Sequence, residues 1–299
     1  MVPFTTSKES VLTLFEPVLS EAGQNQYRLP PLDTAYVKAQ GLLFTNRDMD
    51  IFDEGLPKLL RLLSTQIGRV TRKFMEQGCH ISIANSVAML GWASHENPLM
   101  KAITPGSTSE GVSANDLSIS KITFEKAMQL SNSALSIVLD RIGDPNVLPY
   151  IHCTLVFMLR ISRHPVAMKL LETDFPFAKL KRQLNTFEKS TRIMDENFPL
   201  PEKDDSRPLP EDFALRGLLW ADNYFPDNWF SRDKIDEEEK YQERPSMTAQ
   251  RKERIMWLTY RIITPDGKLQ YDPETSEFHM RKEFDVAKVP TYSLCRQPP

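Results

Sequence analysis

Apolar positions in this 299-residue chain recur at three- and four-residue steps over most of its length, the period of helices with one buried face. Between Ser7 and Ala22 the residues Val11, Leu12, Phe15, Val18, Leu19 and Ala22 form such a stripe, which Pro17 should kink. Leu-Pro-Pro-Leu at 29–32 halts the chain, Asp33 offers a capping carboxylate, and Tyr36, Val37, Leu43 and Phe44 define a second helix. Pro57 suits the first turn of a third. Its inner stripe is Leu59, Leu60, Leu63, Ile67, Val70 and Phe74, and Gly78 fits its C-terminal cap.

From Cys79 to Trp92 the residues are small and apolar nearly all round, which predicts a helix packed on several sides. Residues 94–118 are rich in Gly, Ser and Thr and read as a flexible surface loop. Helical spacing resumes with Phe124, Ala127, Leu130, Leu135, Val138 and Leu139, stops at Gly143, and restarts after Pro145 through Ile151, Leu155, Val156 and Leu159. These two form a helical hairpin. Shorter helices are expected at 165–173 and 177–190, then a Pro- and acid-rich linker at 195–210, a helix from Glu211 to Trp220, and a last one from Thr248 to Ile263. Asp266-Gly267 should close a small hairpin that brings Leu269 and Tyr271 to Phe278. The pattern as a whole predicts an all-α fold of stacked antiparallel helical hairpins, bundle or solenoid-like, over residues 5–280. A short irregular or hairpin-containing tail follows at 281–299.

Composition adds little to this picture until charge is mapped along the chain. With 40% apolar and 26% charged residues the chain can bury an ordinary globular core, and a net charge of −3 gives no overall attraction to nucleic acid or membrane. The charge is segregated, however. Lys58, Arg61, Arg69, Arg72 and Lys73 cluster in one stretch, whereas residues 195–245 are dominated by acids. The three cysteines, Cys79, Cys153 and Cys295, are too few and too widely spaced for a disulfide framework and suit a reducing compartment. The N-terminus lacks the pattern of a secretory signal, and no apolar run is long enough to span a bilayer. No membrane partner is expected, and the location should be nuclear or cytoplasmic.

Two basic groups are candidate nucleic-acid contacts. Arg69, Arg72 and Lys73 stand at i, i+3 and i+4, which would place three cations on one helix face for a phosphate backbone or simply for solvent. Arg160, Arg163, Lys169, Lys179, Lys181 and Arg182, with His164, bracket a helix-turn-helix corner. The aromatic group Trp220, Tyr224, Phe225, Trp229 and Phe230 can in principle stack on bases. Its acidic neighbours Asp222 and Asp227 favour a structural role instead, pinning an irregular segment onto the helical core. Arg216 reads as a buried anchor for Glu211 or Asp212.

Metal and catalytic signals are weak. Cys79-His80 and His152-Cys153 are adjacent pairs whose side chains diverge by about 100° on a helix, so only two helices meeting there could build a metal site. The acidic run Asp236, Glu237, Glu238 and Glu239 fans around its axis and should be solvated. No Gly-rich phosphate loop, nucleophile elbow or His-Glu-x-x-His motif occurs, so no catalytic residue, metal or cofactor is expected.

The most specific string is PLPEDFALRGLLWADNYFPDNWF at 208–230, which resembles the signature of the Est/SMG-type DNA/RNA-binding domain. TTSKESVLTLFE at 5–16, DTAYVKAQGLLFT at 33–45 and NVLPYIHCTLVFMLRISRHPVAM at 146–168 resemble further blocks of that family in the same order. The Trp-x-x-x-Tyr-Phe-Pro element after Arg216-Gly217 is similar to the fungal branch. The resemblance implies a non-catalytic helical scaffold for single-stranded RNA or DNA, with protein components of RNA-decay or telomerase complexes as partners. The implied setting is nonsense-mediated mRNA decay or telomere maintenance. Larger relatives carry a 14-3-3-like repeat domain before this region and a PIN nuclease domain after it; neither is visible here, so phosphopeptide docking and RNA cleavage are not expected. The alternative is a scaffold that contacts proteins alone.

Overall fold

The computed structural model describes residues 30–104, 114–199, 207–231 and 242–284. The apolar stripe at 7–22, the block at 5–16, the acidic run at 236–239 and the end of the tail lie outside the described residues. The architecture is all-α with one small sheet. The helices are α1 (Pro31–Thr45), α2 (Met49–Val70), α3 (Lys73–Met89), α4 (Pro98–Ile103), α5 (Ala114–Leu139), α6 (Leu148–Ser162), α7 (Pro165–Glu172), α8 (Phe177–Leu184), α9 (Pro210–Leu215) and α10 (Pro245–Ile262). Strands β1 (Leu269–Asp272) and β2 (Glu277–Met280) pair antiparallel after them.

Helix α6 is the centre of the core, buried at every residue from Leu148 to Met158, and α3 and α10 pack most extensively against it. Its polar residues are matched by those of its neighbours. The Asn85 amide donates to the Tyr150 hydroxyl at 3.1 Å, Ser82 and Thr154 share a hydrogen bond of 2.9 Å, and Tyr36 donates to Asn85 Oδ1 at 2.8 Å. These contacts fix α1, α3 and α6 in register, because sliding any of them would leave buried polar atoms unpaired. Burial pushes the phenols of Tyr36 and Tyr150 above their ordinary range, so this layer stays uncharged.

Several boundaries differ from the sequence expectation. Helix α1 begins at Pro31, which places Asp33 within its first turn rather than at the cap. Pro57 does not open a helix: α2 starts at Met49 and carries Pro57 on its exposed side, because the stripe Phe52, Leu56, Leu59, Leu63 and Ile67 begins one turn earlier. Burying that stripe outweighs the roughly 3 kcal/mol that an interior proline costs a helix. The third predicted helix also divides. Thr71 adopts φ 46° and ψ −112°, the chain changes direction, and Phe74 belongs to α3. Gly78 lies inside α3 rather than capping it, and a Cβ there would come within 3.0 Å of the Phe74 ring.

The predicted loop at 94–118 contains α4, whose first turn is capped by the Asn97 side chain accepting from Leu99 N at 2.9 Å and Met100 N at 3.1 Å. One fully buried leucine, Leu99, anchors it, too little apolar signal to register as a period. The loop also gives way to α5 at Ala114; its residues 105–113 lie outside the described set. The predicted linker is packed where it is described. Trp257 Nε1 donates to the Asp195 carbonyl at 2.8 Å, Phe198 meets the rings of Tyr224 and Trp229 edge-on, and Leu209 is buried. Two helices are shorter than expected. Helix α8 stops at Leu184, and the helix predicted for 211–220 breaks at Gly217, where φ is +79°.

The hairpin pairs Tyr271 with Phe278 directly, but its turn is at 273–276 and Asp266-Gly267 lies ahead of β1. Asp272 makes the turn, accepting from Glu274 N at 2.9 Å and from the Thr275 hydroxyl at 2.9 Å. Asn185, just past α8, holds β2 as a neighbouring strand would: its amide donates to the Phe278 carbonyl and its carbonyl accepts from Phe278 N, both at 2.9 Å. Asn185→Ala should therefore destabilise the hairpin by about 1–3 kcal/mol, read as faster amide exchange at Phe278 with little change in the exchange of α6.

Candidate functional site

Helix α9 carries two consecutive acids, Glu211 and Asp212, and α10 carries Arg251 and Arg254 one turn apart on its inward face. All four are buried, and they pair one to one. Arg251 meets Glu211 through Nε at 2.6 Å and Nη2 at 3.0 Å, and turns its other edge to Glu243 through Nη1 at 2.9 Å. Arg254 Nη1 reaches both oxygens of Asp212, at 2.8 and 2.7 Å. Asp212 also accepts from Leu209 N at 2.8 Å and Trp229 Nε1 at 3.1 Å. Helix α9 is thereby clamped to α10 by two buried ion pairs.

The network runs on into the core. His152 Nδ1 lies 3.0 Å from Glu211 Oε1, and its Nε2 lies 2.8 Å from the Tyr224 hydroxyl. Burial alone would raise the Glu211 carboxyl, but the Arg251 guanidinium and the His152 hydrogen bond outweigh it and hold it well below the usual carboxylate range. Arg251 is held above its ordinary value by Glu211 and Glu243 against the opposing effect of burial. Burial pushes the Tyr224 phenol up. The relay of tyrosine, histidine, glutamate and arginine is buried and joins α6, the segment 207–231 and α10.

The aromatic group belongs to the same assembly. Trp220, Tyr224 and Trp229 are buried, with Trp220 edge-on to Phe157 of α6, and the guanidinium of Arg254 lies over the rings of Phe198 and Trp229 at 4.6 and 5.1 Å. Phe225 and Phe230 are half-buried and stack edge to face. Arg216 is not the buried anchor that its neighbours implied. It is exposed and lies 4.9 Å over the Phe230 ring, because α10 supplies the partners of Glu211 and Asp212.

The first basic group is divided by the break at Thr71. Arg69 stands in the last turn of α2, Arg72 lies in the junction and Lys73 begins α3, so the three do not share one helical face. Arg69 instead aligns with Lys58 and Arg61 along the outer face of α2, a stripe spanning about 16 Å at 1.5 Å per residue. All five cations are exposed, and none of them takes part in an ion pair among the described residues. The stripe leads to the mouth of a cleft of about 500 Å³ between the α2–α3 junction, Pro149, α9 and Glu243. Arg72 and Lys73 stand at that mouth, Met75, Cys79 and Ala214 line its walls, and the Glu211–Arg251 pair borders it.

The second basic group is dispersed and partly neutralised. Lys179 Nζ and Arg182 Nη2 both bind Asp140, at 2.6 and 2.9 Å, which pins α8 to the end of α5. Lys181 is half-buried on α8, Arg160 is half-buried in the last turn of α6, Arg163 is exposed just beyond it, and Lys169 is exposed on α7. The two cysteine-histidine pairs do bring helices together: Cys79 and Cys153 approach to 3.5 Å, while His152 is taken by Glu211 and Tyr224 and His80 is exposed. Among the described residues no cluster of three or more metal-ligating side chains forms, and no helix is long and apolar enough to cross a membrane. Comparison of the chain with protein families, with curated proteins and with solved structures found no match.

Removing one member of a buried pair strands the other. Asp212→Ala should cost about 3–5 kcal/mol in urea unfolding, more than an exposed carboxylate such as Asp222. Glu211 gives a pH signature. Its folded-state carboxyl is depressed, so its contribution is complete above the unfolded value near pH ~4.3 and is lost as pH falls toward the depressed value. The stability gap between the parent and Glu211→Gln should be widest at neutral pH and should narrow below that point in unfolding titrations.

Proposed function

We propose that this chain is a non-catalytic helical scaffold that binds single-stranded RNA or DNA, or a ribonucleoprotein partner, along the basic outer face of α2. The observation that carries this reading is the stripe itself: Lys58, Arg61 and Arg69, continued by Arg72 and Lys73, are exposed and engaged in no ion pair among the described residues. By contrast, Arg251, Arg254 and Arg182 are each taken up by a carboxylate. Cations left in solvent at helical spacing are suited to phosphates, which give affinity through release of counterions. The resemblance of residues 208–230 to the Est/SMG DNA/RNA-binding signature supports the same reading, with RNA decay or telomere maintenance as the setting and a nuclear or cytoplasmic location. The relay supports a scaffold rather than an enzyme, since Tyr224 and His152 are buried away from the cleft and Glu211, which borders it, is already taken up by Arg251 and His152.

A second reading, a scaffold for proteins alone, draws on the cleft. Its lining balances Arg72, Lys73 and Arg251 against Glu76, Glu211 and Glu243, a charge pattern indifferent to polyanions.

Fluorescence anisotropy with labelled single-stranded RNA and DNA separates the two. Five phosphate contacts predict a log–log salt slope of about −3.5, at roughly −0.7 per contact for single strands. Reversing Lys58, Arg61 and Arg69 to Glu should weaken binding at least about tenfold and flatten that slope, with the melting temperature unchanged. The same reversal at Arg160 and Arg163 probes the second basic group. Absence of binding to either polymer at low salt would overturn the nucleic-acid reading and leave the protein scaffold.

A further inference from the structure

The thiols of Cys79 and Cys153 are the nucleophiles that neither the ion-pair clamp nor the basic stripe uses. They lie 74 positions apart in the chain, on α3 and α6, yet their sulfurs approach to 3.5 Å. Both are unpaired thiols, and both are buried. Their surroundings differ. Cys79 lines the cleft of about 500 Å³ that opens beside Lys73 and His80, whereas Cys153 lies behind it on the core helix. The hydrogen bond between them is directional, with the Cys153 thiol donating and the Cys79 sulfur accepting.

We infer that Cys79 and Cys153 form an oxidant-sensitive dithiol, in which Cys79 takes oxygen from a small hydroperoxide admitted through the cleft and Cys153 then closes a reversible disulfide. In the first step the Cys79 sulfur attacks the distal peroxide oxygen. An S–O bond forms, the O–O bond breaks, the Cys79 thiol proton passes to the departing oxygen, and that oxygen leaves as an alcohol, or as water when hydrogen peroxide is the oxidant. In the second step the Cys153 sulfur attacks the Cys79 sulfur. The S–S bond forms, the S–O bond breaks, and the departing hydroxide leaves as water with the Cys153 proton. Two thiols are oxidised to one disulfide, and one peroxide is reduced. Closing the gap from 3.5 Å to a disulfide bond of about 2.05 Å requires a movement of about 1.5 Å.

The assignment of roles follows from place and from the proton. Only Cys79 borders the cleft, and burial, reinforced by its hydrogen bond to Cys79, pushes the Cys153 thiol up, so Cys153 keeps its proton until the second step consumes it. The product is a covalent tie between α3 and α6 beside the cleft, which would hold that wall in one position.

The test uses the full chain carrying Cys295→Ser, so that these two thiols alone remain. After brief treatment with hydrogen peroxide and alkylation under denaturing conditions, the expected species has lost two hydrogens, takes up no alkylating reagent and yields a Cys79–Cys153 cross-linked peptide. Dithiothreitol should restore both thiols, and the oxidised form should melt at a higher temperature. In Cys153→Ala the reaction should stop at one dimedone adduct on Cys79. Full alkylation of both cysteines, at a peroxide concentration that oxidises free glutathione, overturns the proposal. So does a dimedone adduct on Cys153 in Cys79→Ala, which would reverse the roles.

Discussion

Two carboxylates facing two guanidiniums across a buried interface determine how the second half of this molecule is assembled. Helix α9 has only six residues and cannot hold its place by helical propensity. Glu211–Arg251 and Asp212–Arg254 hold it to α10, and Glu211 also engages His152 of the central helix α6. Pairs of this kind add little net stability compared with apolar packing of the same volume, because desolvating four charges offsets most of their attraction. Their effect is on uniqueness. Any arrangement that separates α9 from α10 leaves bare charge in the core, at a cost of several kcal/mol per ion.

That constraint accounts for the conformation of the chain around it. The segment 207–231 is short on regular structure, with a helix of six residues, a left-handed glycine at 217 and a single 3-10 turn. Irregular backbone is stable there because Trp220, Tyr224 and Trp229 fill the space between α6 and α10, and because two of the three satisfy their polar atoms on His152 and Asp212. The stretch 191–199 is held from the other side by Trp257 and by Phe198, whose ring packs against the Arg254 guanidinium. Where it is described, the stretch that reads as linker is therefore anchored to the core through Phe198 and Leu209.

The long helices were legible in the sequence because their signal is periodic. Leu59, Leu63 and Ile67, or Ile151, Leu155 and Met158, repeat often enough to define a face, and the all-α class follows from them. Helix ends are less legible, since Pro57 and Gly78 signal a start and a cap by local preference whereas burial of Phe52 and Phe74 decides the outcome. The clamp was half visible. Glu211 and Asp212 announced a need for cations, but Arg216 was the nearest candidate along the chain. The partners stand 40 and 42 positions away, a distance that no local rule spans. A usable clue was present: Arg251 and Arg254 sit one turn apart on the face of α10 that also carries Ile255 and Leu258, where lone cations are out of place.

The change of direction at Thr71 has a mechanical meaning. Five cations on one straight rod would suit any polyanion, stiff or supple. Divided between α2, the junction and the start of α3, they lie along a bent track instead. Duplex DNA, with a persistence length of about 50 nm, must be deformed to follow such a corner, whereas a single strand turns at almost every linkage. If the surface binds polyanions as proposed, a bend set by one residue's backbone would favour supple polymers over stiff ones.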